Sequence, residues 1–283
     1  TATLLILAKV LKKFQEDIPG TVVFLHQHAE ELAPGGAKPM IEAGALNGVD
    51  AVFGNHLWAT TPLGELQTNK QVFMAGADKF EIIIKGKGGH GAYPHETKDA
   101  IVIGSQLVNQ LQEITSRRLD PLKTAVVTVG VFEAGTTFNV IADRAKIVGT
   151  VRYLDTEVQK LVIDEMRKIV EALCTRYEIE CDFTYDKGYP PLVNHQKEAE
   201  LVIEAGKLVD DIHLSGEVAP QMGGEDFAYY MMDRPGAFFF TGAKKEGHSY
   251  PHHHPKFDID ERSMPIAAKT LTQAYFLYQN NTK

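Results

Sequence analysis

Cysteine is scarce in this 283-residue sequence: Cys174 and Cys181 are its only two, which excludes a disulfide scaffold. They flank an expected helix-to-strand turn, so reduced thiols in a cytoplasmic setting are the expectation. Long apolar runs are also missing. Stretches such as Leu4–Val10 are too short to span a bilayer and lead into no signal-peptide cleavage pattern, which argues against a membrane partner. Basic runs interleaved with aromatics do not occur, and 29 Lys plus Arg against 37 Asp plus Glu give a formal net charge of −8. Nucleic acid is therefore not an expected partner. No internal repeat or low-complexity segment is present. An initiator Met is lacking too, since the chain opens Thr1-Ala2-Thr3 directly in an apolar helical pattern.

What is present is ordinary globular composition, 44% apolar and 23% charged, at a length near two domains. Leu4, Leu5, Leu7, Ala8, Leu11 and Phe14 recur at helical spacing, and Pro19-Gly20 ends that helix before an apolar strand over Thr21–Leu25. A second helix is expected from Pro34 to about Leu46, and a second strand over Val49–Phe53 that runs into Gly54-Asn55-His56. From Asp78 the order changes. Strands over Phe80–Lys85, Ala125–Phe132, Ala145–Tyr153 and Ile179–Tyr185, with helices over Thr97–Ile114 and Thr156–Tyr177, spell β-α-β-β-α-β, the ferredoxin-like unit. Helices near Lys197–Val209 and Met264–Tyr278 and a strand at Ala237–Thr241 resume the first pattern. The expected fold class is α/β: a discontinuous domain of residues 1–77 and 187–283, interrupted by an insert of residues 78–186.

The chemistry-bearing residues cluster at strand ends. Glu30, Glu31 and His56 follow the first two expected strands, and the functional crevice of an open α/β sheet lies outside such carboxyl ends. Adjacent carboxylates there suit one metal ligand and one proton acceptor, although glutamates also favour a helix N-terminus for its dipole alone. His248, His252, His253 and His254 lie in a loop after the strand at Ala237–Thr241, with Asp258, Asp260 and Glu261 close by in sequence; imidazole is the commonest neutral metal ligand. The glycine-rich run Gly86-Lys87-Gly88-Gly89-His90-Gly91 lacks both the P-loop ending and the dinucleotide-binding spacing, so His90 reads better as a polar group reaching a substrate. Asn139 and Arg152 are further polar groups of the insert, and arginine is the natural bidentate partner of a carboxylate.

Together these segments resemble the M20 metallopeptidase family, in its amidohydrolase branch of aminoacylases, hippurate hydrolases and indole-acetyl-amino-acid hydrolases. The matching stretches are Ala29-Glu30-Glu31, Met40–Leu46, Gly54-Asn55-His56, Gly86–Ala92, Phe138-Asn139-Val140-Ile141, Gly149-Thr150-Val151-Arg152, Gly224-Glu225-Asp226-Phe227 and His253-His254-Pro255-Lys256-Phe257. They span the chain in family order.

The resemblance implies a two-metal Zn-peptidase-like catalytic domain, with the ferredoxin-like insert as a lid that also carries homodimerisation. It implies Glu30 as general base, Glu31, His56 and His253 as metal ligands, and His90 as an oxyanion-stabilising group. Asn139, Arg152 and Gly224 would contact the substrate, a small N-acyl amino acid; di- or tripeptides are the alternative substrate, and a non-catalytic binding protein the alternative function. Zn, Mn and Co all suit mixed carboxylate and imidazole ligands. The chain departs from the pattern at His28 and Ala142, where the family usually has proline. The family's first metal motif, a Cys-Gly-His-Asp-x-His-Thr-Ala stretch, is met only at its closing Thr-Ala. The expectation is therefore a catalytic domain incomplete at its N-terminus that holds one metal ion or none.

Overall fold

The structure is a computed structural model that describes residues 1–248 and 250–281. Along the chain the elements are α1 (Ala2–Leu11), α2 (Ala37–Glu42), β1 (Val52–Pro62), β2 (Glu65–Thr68), β3 (Val72–Met74), β4 (Gly76–Lys85), β5 (Gly89–His90), α3 (Ala100–Glu113) and β6 (Ala125–Ala134). They continue with β7 (Val140–Ile141), β8 (Arg144–Tyr153), α4 (Thr156–Tyr177), β9 (Glu180–Tyr189), β10 (Leu192–Val193), α5 (Gln196–Lys207), β11 (Leu214–Glu217), α6 (Ala228–Asp233), β12 (Gly236–Lys244) and α7 (Ser263–Asn281). The chain divides into two compact units: Thr1–Phe73, Leu192–Gln221 and Glu225–Lys283 form the first, Met74–Pro191 and Met222–Gly224 the second.

The first unit is built on a four-stranded sheet of order β1-β12-β2-β11. The β1–β12 and β2–β11 pairs are parallel, and β12–β2 is antiparallel. Every residue of β12 from Gly236 to Ala243 is buried, as expected of an interior strand covered on both faces. On one face Leu66, Ala237 and Phe239 pack with Ala199, Val202 and Ala205 of α5 and Ala274 of α7. On the other, Phe240 stacks on Trp58 at 4.0 Å between ring centroids and meets Phe73 at 4.5 Å.

Two expectations need correction here. Thr21–Leu25 forms no strand: it is extended but carries no ladder bonds, and Val23 is exposed. Apolar, β-branched composition sets a preference for extended backbone, yet a strand exists only where a neighbour takes its N–H and C=O groups. Conversely β1 runs on through Gly54-Asn55-His56, which the sequence suggested as a loop. The parallel register Gly54↔Phe238, Asn55↔Phe239, His56↔Phe240 absorbs these residues, and Asn55 Nδ2 donates to the Phe239 carbonyl at 3.1 Å.

The second unit contains β4, α3, β6, β8, α4 and β9 in the β-α-β-β-α-β order, forming an antiparallel sheet of order β6-β8-β4-β9. This spatial order is the ferredoxin-like one, and both helices lie on one face. Ile82, Ile84, Ile147 and Val151 of the sheet pack with Ile103, Leu107 and Leu111 of α3 and Val162, Met166 and Leu173 of α4 in one core. The helices begin on side-chain caps: Asp99 accepts from the amides of Ile101 and Val102, and Asp155 from Glu157. Cys174 of α4 and Cys181 of β9 are free thiols. Burial first, and then Cys174, push the Cys181 thiol up to about 12.

One buried carboxylate organises this unit. Asp78 accepts from Gln159 Nε2 at 2.6 Å, the Gly188 amide at 2.8 Å and the Tyr185 hydroxyl at 2.9 Å. Its carbonyl takes the Thr150 hydroxyl at 2.8 Å, which ties β8 to β4. Replacing Asp78 by alanine strands several donors that cost roughly 1–3 kcal/mol each when unmatched in the interior. The Asp78→Ala variant is therefore expected to lose about 3 kcal/mol or more of unfolding free energy in urea. A loss below about 1 kcal/mol would remove Asp78 from this role.

Candidate active site

In the first unit the site grows from β1. Side chains alternate across a strand, so His56 shares a face with Gly54 and Trp58 and lies on the side of Phe240. His56 Nδ1 lies 2.9 Å from the Leu57 carbonyl, which can only accept, so the proton sits on Nδ1 and Nε2 is left with its lone pair. Burial chiefly pulls the His56 pKa below its ordinary value. A neutral imidazole with one fixed N–H is the form that a metal requires.

The ladder between β1 and β12 is interrupted after Trp58↔Gly242. At that irregularity the amide of buried Ala59 donates to His252 Nε2 at 3.0 Å. The His252 ring sits 4.9 Å from that of His56 and is packed by Trp58 and Phe257. Burial, followed by the neighbouring His56 and His253, lowers the His252 pKa to about 4, which keeps it an acceptor. The next residue, His253, has φ of 65°, in the left-handed region that non-glycine residues rarely occupy. Its Nε2 lies 3.6 Å from Glu31 Oε2.

Glu30 and Glu31 stand in a turn closed by the Leu32 amide on the Ala29 carbonyl at 3.2 Å, and Ala29 also has a left-handed φ of 56°. Glu30 is raised to about 7, first by burial and then by the charges of Glu31 and Asp226. Glu225 is raised further, to about 8, by its burial and by Glu30. Glu30, Glu225 and Asp226 each bring one carboxylate oxygen within 4.8 Å of the others. Asp226 is nevertheless committed to Gln27 and to the amides of Gly36 and Ala37, so this trio is an acidic wall beside Glu30 rather than an open ligand set. Outside that trio, Glu31 and His253 face each other, and both act electrostatically on His56, whose tautomer is fixed: one carboxylate and two imidazoles, donor types that suit a divalent cation.

The other sequence-derived residues lie in the second unit. His90 and Asn139 are brought together on the short β5–β7 ribbon, where His90 pairs with Val140 and the Gly91 amide donates to the Asn139 carbonyl at 2.9 Å. The Ala92 amide donates to His90 Nδ1 at 3.1 Å, which leaves Nε2–H as the outward donor. Arg152 lies on β8, half-buried, with Nη1 donating to the Val151 carbonyl at 3.2 Å and to the Thr150 hydroxyl. Burial lowers its pKa while Asp78 opposes that shift. Gly224 packs so closely that a Cβ there would come within 2.8 Å of Ala77 Cβ. Glu225 and Asp226 were given no role by sequence reasoning, although the Gly224-Glu225-Asp226-Phe227 stretch marked their place. The amides that donate to Asp226 lie about 190 residues away and are invisible in a linear reading.

Comparison with known proteins gives the same direction. The model of peptidase family M20/M25/M40 matches residues 1–276. A Bacillus subtilis protein carrying the provisional name amidohydrolase YhaA is 48% identical over 280 residues, 98% of this chain and 71% of that protein. An N-acyl-L-amino acid amidohydrolase of Geobacillus stearothermophilus is 45% identical over 197 residues, 70% of this chain and 53% of that protein. The crystal structure of Bacillus subtilis YXEP, a dinuclear metal binding peptidase from the M20 family, superimposes with a TM-score of 0.79 at 31% identity, covering 98% of this chain and 70% of the other.

The His252 contact yields a direct check. Replacing His252 by leucine keeps an apolar body in place but removes the acceptor from the Ala59 amide. Hydrogen exchange at Ala59 is expected to speed by about tenfold or more, the equivalent of roughly 1.4 kcal/mol, within the range for an unmatched buried donor. His252→Gln, which can still accept, is expected to stay closer to the parent. Unchanged Ala59 exchange in both variants would show that the amide is held otherwise.

Proposed function

The chain belongs to peptidase family M20/M25/M40, and from that premise we propose that it acts as a metal-dependent amidohydrolase on N-acyl amino acids. The observation that carries this reading is the approach of Glu31 to His253 at 3.6 Å, with His56 under the electrostatic influence of both and the neighbouring Glu30 carboxyl raised to about 7. The resemblance to an N-acyl-L-amino acid amidohydrolase supports the substrate class. Divalent cations held by Glu31, His56 and His253 would supply Lewis acidity toward the scissile amide carbonyl.

Everything else is work for the chain's own groups. Glu30, with its carboxyl near 7, takes the proton of the attacking water and returns it to the nitrogen of the leaving amine. Burial first, and then the charges of Glu31 and Asp226, favour the protonated form of Glu30. In the second unit we assign the His90 Nε2–H to oxyanion stabilisation. Arg152 takes the substrate carboxylate, Asn139 a further polar group, and Gly224 supplies a further substrate contact. We also assign homodimerisation to this unit. The similarity to the peptidase YXEP favours one second reading, hydrolysis of short peptides by the same groups.

Glu31, His56 and His253 offer three donors, enough for one cation. The 283-residue polypeptide is therefore expected to retain at most one tightly bound divalent ion, measured by mass spectrometry of metal content. Two tightly bound ions with ordinary turnover of N-acetyl and N-benzoyl amino acids would overturn that expectation. Glu30→Gln is expected to lower turnover by about 10²-fold or more, the usual scale of a general base, with metal content unchanged. Persisting activity would remove Glu30 from the role.

A further inference from the structure

We propose that Asp226 is the positioning residue of the Glu30–Glu31 loop: one buried carboxylate closes both ends of that loop and so sets where the two glutamates stand. The proposal deepens the functional reading above and rests on it for the importance of the two glutamates. Asp226 has no exposed surface. Its oxygens accept from Gln27 Nε2 at 2.6 Å, at the entry of the loop. They also accept from the amides of Gly36 at 2.9 Å and Ala37 at 3.1 Å, at its exit. The two ends are pinched together as well, since a Cβ on Gly36 would lie 2.0 Å from the His28 carbonyl oxygen. Gly35, with φ of +80°, presses against the same carboxylate so closely that a Cβ there would come 2.2 Å from Asp226 Oδ2.

The chemistry selects aspartate at this place. All three partners are donors, and a carboxylate offers only acceptors, whereas asparagine would turn an amide N–H₂ toward one of them. The main chain of Asp226 adds a further hold, since its N–H donates to the Glu30 carboxylate. A closed loop of this kind is a compact surface element whose ends are fixed and whose body carries the functional groups. Glu30 and Glu31 fall in that body, and Glu31 reaches His253 across it.

The test uses the 283-residue chain and its Asp226→Asn variant, with Gln27→Met as a milder second variant that removes one donor and leaves the buried carboxylate in place. Hydrogen exchange of residues 27–37 reads the loop, and titration with Co²⁺ followed by visible absorption reads the ligand geometry. The expected result for Asp226→Asn is exchange in residues 27–37 faster by about tenfold or more, since charged hydrogen bonds are worth more than that factor. Amides of β12 and α7 should keep their parent rates. The Co²⁺ affinity is expected to fall by a similar factor with an altered absorption band, and Gln27→Met should follow in the same direction by a smaller amount. Unchanged exchange in residues 27–37 in both variants overturns the proposal, as does faster exchange with Co²⁺ affinity and spectrum unaltered. A parent chain that binds no Co²⁺ overturns the metal reading instead, and the exchange measurement then decides alone whether Asp226 sets the loop.

Discussion

A carboxylate taken out of water must be met by donors, and in each unit one buried aspartate gathers segments that are far apart in sequence. Asp226 accepts from Gln27, Gly36 and Ala37, and Asp78 from Gln159, Tyr185 and Gly188. The desolvation cost of such a group is large when it is unmatched, so the arrangement tolerates little slack. That intolerance is useful in a protein whose working groups stand on loops. A hydrophobic contact can slide by an ångström at small cost, whereas three directional bonds to one carboxylate cannot.

The same economy explains the left-handed residues. Ala29 and His253, at φ of 56° and 65°, sit next to and within the proposed ligand set. A non-glycine residue in this region costs about 1–2 kcal/mol, and it persists only when surrounding contacts over-determine it. For Ala29 those contacts are the turn onto Leu32 and the neighbouring Gln27 bond to Asp226. For His253 the preceding residue is fastened to the Ala59 amide, and the following one lies in a turn in which the His254 amide donates to the Pro251 carbonyl.

Much of the fold was legible in the sequence for reasons that can be named. The helix over Thr156–Tyr177 has an Asp155 cap and an apolar stripe, both local signals, and its bounds match. The ferredoxin-like order follows from alternation that each strand carries by itself. Thr21–Leu25 failed because strand formation is a property of pairs and only one member is read from a segment. His56 was placed after β1 rather than inside it for the same reason: Gly54-Asn55 looks like a turn until β12 supplies the partner register. Within the site, the histidines and adjacent glutamates announce themselves by residue type. Asp226 did not, because its meaning lies in the three donors that the fold delivers to it.

In the roles proposed for them, Glu30 and Glu31 show how adjacent, identical side chains acquire different work. Neighbours along an irregular turn point in different directions, and the environment does the rest. Glu31 is mostly solvent-exposed and faces the imidazole of His253. Glu30 is half-buried near Asp226, where burial, and then the charges of Glu31 and Asp226, push its carboxyl to about 7. A base in that range is strong enough to take a proton from an activated water and weak enough to release it to an amine. The division of labour is therefore set by which side of the turn each residue faces, and that is fixed by the closure of the loop at Gln27, Gly36 and Ala37 rather than by anything in the glutamates themselves.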